Sequence, residues 1–437
     1  MNSTTATAGP KGIDRAFLAA AAAIVFGVLA MYLSQMQVLG MIPLKNLLKN
    51  SMGASREAAA AFFFWATFVW NLKPLVGIVQ DAWPLFGSRR RSYLLVAGLL
   101  SALAWWSLLA APREYHVWLI ICILINVVMV VGSTAIGGFM VEVAQSSASA
   151  GRLTALRSSM EYGSYLVSGP AAGLLAGIAF AWTAVTCGAI AFLGVPVALW
   201  LMRDKVAQRR PDESAQVFAA AGARFLQVAR SRAMWVAAAV ALLFYFSPGI
   251  LTAQFYAQQN DLHLSTQQQG TLLFLNGGFG VLAALGYAAF LARRFTLRWL
   301  LFASILLGAC GQASYVLYSL QTWNAARVAD SFNGLTYALA EVAMMHLAVR
   351  ATPKGCEALG FALLMAVRNF GLYGGDWLGS AIQDHRHLGF PSMALINAAV
   401  SLLAVPLLLL LPAAVADVRD AQRSTAEIDL TPAPREI

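Results

Sequence analysis

The sequence predicts an all-α membrane protein, with twelve transmembrane helices in two six-helix, pseudo-symmetric bundles. Three observations carry this. Of 437 residues, 59% are apolar and only 11% charged. Apolar runs near the twenty residues needed to cross a bilayer recur throughout, and one long polar interruption, Arg203 to Arg232, divides them six and six. Soluble chains do not repeat such runs, and an outer-membrane barrel shows shorter alternating segments.

The first run, 16–39, follows a small polar start without the basic segment and cleavage site of a signal peptide, so it is expected to persist as a helix. The second, 58–80, ends in a loop rich in glycine and arginine. Then come 92–111, 116–143, a glycine-rich fifth span at 154–178, and 181–202. Beyond the central loop lie 233–257, 269–292, 299–319, 324–349, a second glycine-rich span at 356–380, and 390–413. The expected domains are a tail 1–15, a bundle 16–202, a central loop 203–232, a bundle 233–413 and a tail 414–437. Gly277-Gly278-Phe279-Gly280 lies inside a span without strand-turn-helix context, so it reads as a packing surface rather than a dinucleotide fingerprint. Cys122, Cys187, Cys310 and Cys356 lack metal-ligand spacing and read as small packing residues.

Cytoplasmic loops retain positive charge during insertion. With the N-terminus inside, that side carries Lys11, Arg15, Arg89 to Arg91, Arg152, Arg157, the basic residues of the central loop, Arg293, Arg294, Arg298, Arg350, Lys354 and the arginines of the C-terminal tail. The other side carries Lys45, Lys49, Arg56, Arg113 and Arg386. Both termini are therefore expected in the cytoplasm, with the plasma (bacterial inner) membrane as the location. Topology and anionic lipid then explain the net charge of +10 without a nucleic-acid partner.

Comparable features recur in the halves: basic loops after spans two and eight, and glycine-rich fifth helices. Internal duplication with a site between the halves is what a secondary transporter needs for alternating access, as in the major facilitator architecture. In the loop after span two, Gly77 and Asp81 are one helical turn apart, Gly87 can supply positive φ, and Arg89, Arg90 and Arg91 can grip acids or helix C-terminal carbonyls. Thr352-Pro353 reads as an N-cap and first-turn proline of span eleven, a positive helix end where Asp81 is expected to dock as a gate.

The stretch from Lys73 to Tyr93, with Lys73-Pro74-Leu75-Val76-Gly77, Asp81 and Pro84-Leu85-Phe86-Gly87-Ser88-Arg89-Arg90-Arg91, resembles the signature of the folate/biopterin transporter family of the major facilitator superfamily. Pro353 to Met365, with Asn369 and Gly371, resembles the start of that family's eleventh helix. Gln80 and Trp83 depart from the family's usual small or polar residues. Glu142 resembles the acid that facilitators pair with the gate arginines.

The resemblance implies a small-molecule substrate such as folate or a pterin-like anion, moved together with protons by a monomer in contact with membrane lipid. Such a ligand asks for aromatic faces, a carboxylate for the pterin edge and cations for the glutamate tail. Charged residues inside spans are costly and mark function by default. Arg368 is the expected partner of the anionic end, with Lys73, Trp70, Asn369, Tyr373 and Glu161 around the substrate. Tyr162, Tyr165 and Tyr245 are weaker aromatic candidates. Arg157 and Glu161, four apart, are equally readable as an ion pair. Arg327 and Asp330 are expected to pair. Glu341, with no basic neighbour within a turn, is the expected proton-coupling acid, joined by Asp376, whereas His346 reads chiefly as a packing residue.

Enzyme and ATPase motifs are absent from the sequence, and no cofactor or metal is expected. Two other readings stay open on sequence alone: a transporter of the same fold for a different solute, and a non-transporting receptor or scaffold.

Overall fold

A computed structural model describes residues 15–147, 150–203, 211–354 and 356–417. Helices α1 (Arg15–Leu33) and α2 (Met41–Asn50) are followed by α3 (Arg56–Ala82), which passes through a 3-10 turn at Phe68–Leu72. Next come α4 (Arg91–Ser107), α5 (Tyr115–Ser147), α6 (Ala150–Ala176) and α7 (Phe180–Leu201). The second part holds α8 (Pro211–Ala229), α9 (Arg232–Tyr245), α10 (Leu251–Asn260), α11 (Thr266–Leu291), α12 (Leu297–Leu320), α13 (Trp323–Ala351), α14 (Glu357–Arg386) and α15 (Phe390–Leu410).

Among the described residues, α3, most of α5, α7, α11, α12 and α15 are each long and apolar enough to cross a membrane. Two of the other expected spans carry charges within them. Arg327, Asp330, Glu341 and Arg350 interrupt α13, and Arg368, Asp376, Asp384 and Arg386 interrupt α14. The central loop, expected as a polar connection, contains α8, which meets α9 at a bend of 74°. Trp83, just past α3, packs edge-on against Phe218 of α8.

Backbone chemistry places the breaks. Pro74 has no N–H to return to the Trp70 carbonyl, and the chain tightens there into the 3-10 turn, with Lys73 N–H bonding Trp70 O instead. Between α9 and α10 the chain opens at Phe246–Ile250, where Gly249 takes φ +70°. A Cβ at Gly375 would lie 2.7 Å from the Ser247 nitrogen, and one at Gly379 would collide with Pro248 and Gly249, so the glycines of α14 admit this opened segment. A Cβ at Gly169 or Gly173 of α6 would lie 2.7 Å from backbone atoms of α11, Phe274 N and Thr266 O, and Gly270 on α11 returns the same close approach.

Arginines seal two helix C-termini in parallel fashion. Arg91, opening α4, donates to Ala198 O (2.9 Å) and Leu199 O (3.3 Å) of α7. Arg298, in the first turn of α12, donates to Leu408 O and Leu411 O (2.9 Å) at the end of α15. The same device recurs one half-sequence later, satisfying carbonyls that a helix end leaves open.

Candidate functional site

The site is built where α14 runs past the 3-10 turn of α3. On the α3 side, Trp70 Nε1 donates to Asn126 Oδ1 of α5 at 2.7 Å. Lys73 Nζ lies 5.5 Å from the Trp70 ring centroid and donates to Ser133 Oγ at 2.9 Å. The lysine therefore points across to α5, in the bundle, rather than snorkelling outward. On the α14 side, Arg368 binds Glu341 of α13 through both Nε (3.1 Å) and Nη2, and Nη1 reaches Asn369 Oδ1 at 3.3 Å. Its guanidinium sits 5.0 Å from the centre of the Tyr245 ring, a cation–π support. The Tyr245 hydroxyl is buried beside it. Tyr373 packs against the same apolar cluster as Trp70, which brings the two elements together.

Glu341 has no basic neighbour within a turn of its own helix, and the fold supplies one from α14, Arg368. One sequence expectation changes here. Arg327 and Asp330 do not pair: Arg327 is exposed beside Trp323, whereas Asp330 is buried and bonded to Gln254 and Tyr318. Three positions apart, they stand only about 60° apart around α13, and the boundary of the bundle falls between them, with Arg327 outside it and Asp330 inside. Asp376 is buried on α14 and accepts from Thr252 N (2.9 Å) and Oγ1 (2.6 Å), away from Arg368. The side chains of Glu161, Tyr162 and Tyr165, on α6, lie outside the described residues.

At the arginine-rich end, Leu85 and Ser88 exchange backbone hydrogen bonds of 2.9 and 3.0 Å around Phe86 (φ 50°) and Gly87 (φ 74°). This tight turn swings Arg90 back under α3. Arg90 bridges Asp81 and Glu142, the latter at 2.9 Å, so a single guanidinium ties α3 to α5. Arg89 follows the turn, half-buried, and Arg91 caps α7. Gly77 is loosely packed, its nearest neighbour for a Cβ being the Thr134 methyl at 3.7 Å. The tight glycine is Gly138 on α5, where a Cβ would come within 2.5 Å of the Arg90 guanidinium. Sequence reasoning missed it, although it sits four residues before Glu142 on one helix face.

The expected docking of Asp81 on span eleven is not the arrangement seen. Thr352 closes α13, its hydroxyl donating to Ala348 O at 2.7 Å, and α14 starts at Glu357. The Pro353–Cys356 turn intervenes, with Cys356 N–H on Pro353 O.

The fold agrees with the comparisons. The sequence model of the BT1 family matches residues 33–428. This chain belongs to the BT1 family. The "Folate-biopterin transporter" of Synechocystis sp. is 26% identical over 423 residues, covering 90% of this chain and 82% of that protein. The "Probable folate-biopterin transporter 4" of Arabidopsis thaliana is 38% identical over a 58-residue stretch, 13% of this chain and 12% of that protein. Among solved structures, the nucleoside transporter NupG aligns with TM-score 0.67 at 12% identity, covering 91% of this chain and 99% of that one. The inward-open xylose transporter XylE from E. coli aligns with TM-score 0.66 at 13% identity, covering 90% and 96%. These neighbours show a major facilitator fold. The BT1 family protein is an integral membrane transporter, not an enzyme.

Proposed function

We propose that this BT1 family transporter moves folate or a pterin-like organic anion by alternating access, in symport with protons. In this reading residues 16–202 and 233–413 rock against each other as two bundles joined by 203–232. It works as a monomer in a plasma membrane of bacterial inner-membrane type, with both termini and the arginine-rich end facing the cytoplasm.

The observation that carries the reading is the Arg368–Glu341 pair, in a chain similar over 90% of its length to a folate-biopterin transporter. A substrate carboxylate can take the place of the Glu341 carboxylate on Arg368, because it offers the same acceptor chemistry to the Nε and Nη2 donors that here converge on Glu341 Oε1. Proton uptake by Glu341 frees Arg368 for the anion; proton loss on the other side restores the ion pair and expels it. Trp70, Tyr373 and Tyr245 supply aromatic faces, Asn369 hydrogen-bonding capacity and Lys73 a second cation. Glu161 is assigned to the pterin edge, Asp376 to proton coupling, and the Gly77, Asp81, Gly87, Arg89, Arg90, Arg91 and Glu142 group to the cytoplasmic gate.

The test is uptake into proteoliposomes under an inward proton gradient, with labelled folate and competition by biopterin and unrelated anions. Accumulation inhibited by pterins supports the assignment. It fails if folate neither accumulates nor raises thermal stability while another solute does both.

A further inference from the structure

Four helices converge on a carboxylate that the Arg368 chemistry leaves unused. Asp330, on α13, is 3% exposed. Its Oδ1 accepts from Gln254 Nε2 of α10 at 2.9 Å and its Oδ2 from the Tyr318 hydroxyl of α12 at 2.6 Å. Tyr318 in turn accepts from Gln258 Nε2 at 3.0 Å. Asn276 of α11 donates to the Asp330 carbonyl at 3.1 Å, and Tyr315 donates to Asn333 at 3.2 Å. The facing groups from α10, α11 and α12 are thus two glutamines, an asparagine and two tyrosines. Among the described residues no cation pairs with Asp330, since Arg327 lies exposed over Trp323. A buried carboxylate held only by neutral donors retains a desolvation cost that a proton removes.

The helix that Gln254 and Gln258 belong to also closes one end of the molecule. It follows the opened Phe246–Ile250 segment and binds α14 through Thr252 and Asp376. It also reaches the other half: Leu251 O accepts from Lys45 at 2.6 Å, Tyr256 OH donates to Ala54 O at 2.6 Å, and Gln259 accepts from Lys49 at 2.8 Å.

We propose that Asp330 is a second protonation site, whose charge state sets how firmly α10 is held and hence whether the end opposite the arginine-rich loops stays closed. On protonation at Oδ2 the Tyr318 contact reverses: the carboxyl donates and the Tyr318 oxygen accepts, in competition with Gln258. The clamp on α10 loosens.

The conformational test needs no substrate. Ala60 is 1% exposed and lies one turn from both Arg56, which binds Asp384, and Phe64, which packs on Trp377. Alkylation of Ala60→Cys, in a Cys310→Ser background and normalised to the unfolded protein at each pH, reports opening of this end. Labelling is expected to rise as pH falls, against the intrinsic trend of thiol reactivity. Asp330→Asn, permanently neutral, should lose that slope, and a wild-type slope in this variant overturns the proposal. If Asp330→Asn does not fold, Tyr318→Phe decides: losing one donor to the carboxylate should move the labelling midpoint to higher pH, and an unmoved midpoint overturns the proposal. The transport arm rests on the proton-symport reading: Asp330→Asn should lose gradient-driven folate accumulation while keeping exchange. Should the parent protein not carry folate, that reading fails while the labelling still judges Asp330.

Discussion

A methyl group at Gly138 would come within 2.5 Å of the Arg90 guanidinium, so that side chain must move. Gly138→Ala should displace Arg90 from Asp81 and Glu142 and lower stability by about 1–3 kcal/mol, the usual cost of overpacking. Gly77→Ala meets only the Thr134 methyl at contact distance and should melt within a degree or so of the parent, read by thermal unfolding in detergent. Loss of transport in Gly77→Ala without loss of stability would locate its tight contact in another conformation. At the central site, Glu341→Gln should abolish accumulation driven by a pH gradient and preserve counterflow; unchanged accumulation removes Glu341 from coupling. Arg368→Ala should weaken binding of carboxylate-bearing substrates by about 1.5–3 kcal/mol, the worth of a charged hydrogen bond. Equal losses for neutral pterins would mark Arg368 as structural.

At the scale of elements, α14 is held tightly by its neighbours at two glycines. Gly375 and Gly379 meet the opened Phe246–Gly249 segment backbone to backbone, so a side chain at either position must push α9 and α10 away. Gly379→Ala should destabilise by about 1–3 kcal/mol. Gly163→Ala in α6, with nothing within 4 Å of the added Cβ, should be neutral or slightly stabilising through helix propensity. A reversed order of these two melting temperatures would contradict the packing described. Repeated glycines in α6 and α14 are visible in the sequence, but which of them meets another backbone is not. That depends on a neighbour far along the chain.

At the scale of the whole molecule, contacts between early and late helices gather at the end opposite the arginine-rich loops. Arg56 binds Asp384 at 2.7 Å, Glu57 N–H donates to the same carboxylate, and Phe64 packs on Phe370 and Trp377. Each partly exposed ion pair contributes only about 0–1 kcal/mol. Asp384→Asn alone should therefore change the open fraction by no more than about fivefold, measured by Ala60→Cys labelling. A complete shift from this one substitution would mean that the end hangs on a single pair rather than on the aromatic and α10 contacts together.

The sequence by itself determined the membrane class, the helical runs, the uneven distribution of positive charge and the motif between Lys73 and Arg91. Each of these is written in local composition and spacing, and the bilayer enforces it segment by segment. Only the tertiary structure decided the partners of the buried charges. Arg368 meets Glu341 and Asp376 meets Thr252 across gaps of 27 and 124 positions, and helical spacing within one element says nothing about which side chain a different element brings. For the same reason Arg327 and Asp330, neighbours in sequence, face different surroundings. Inside a membrane a charge must find a partner wherever the fold supplies one.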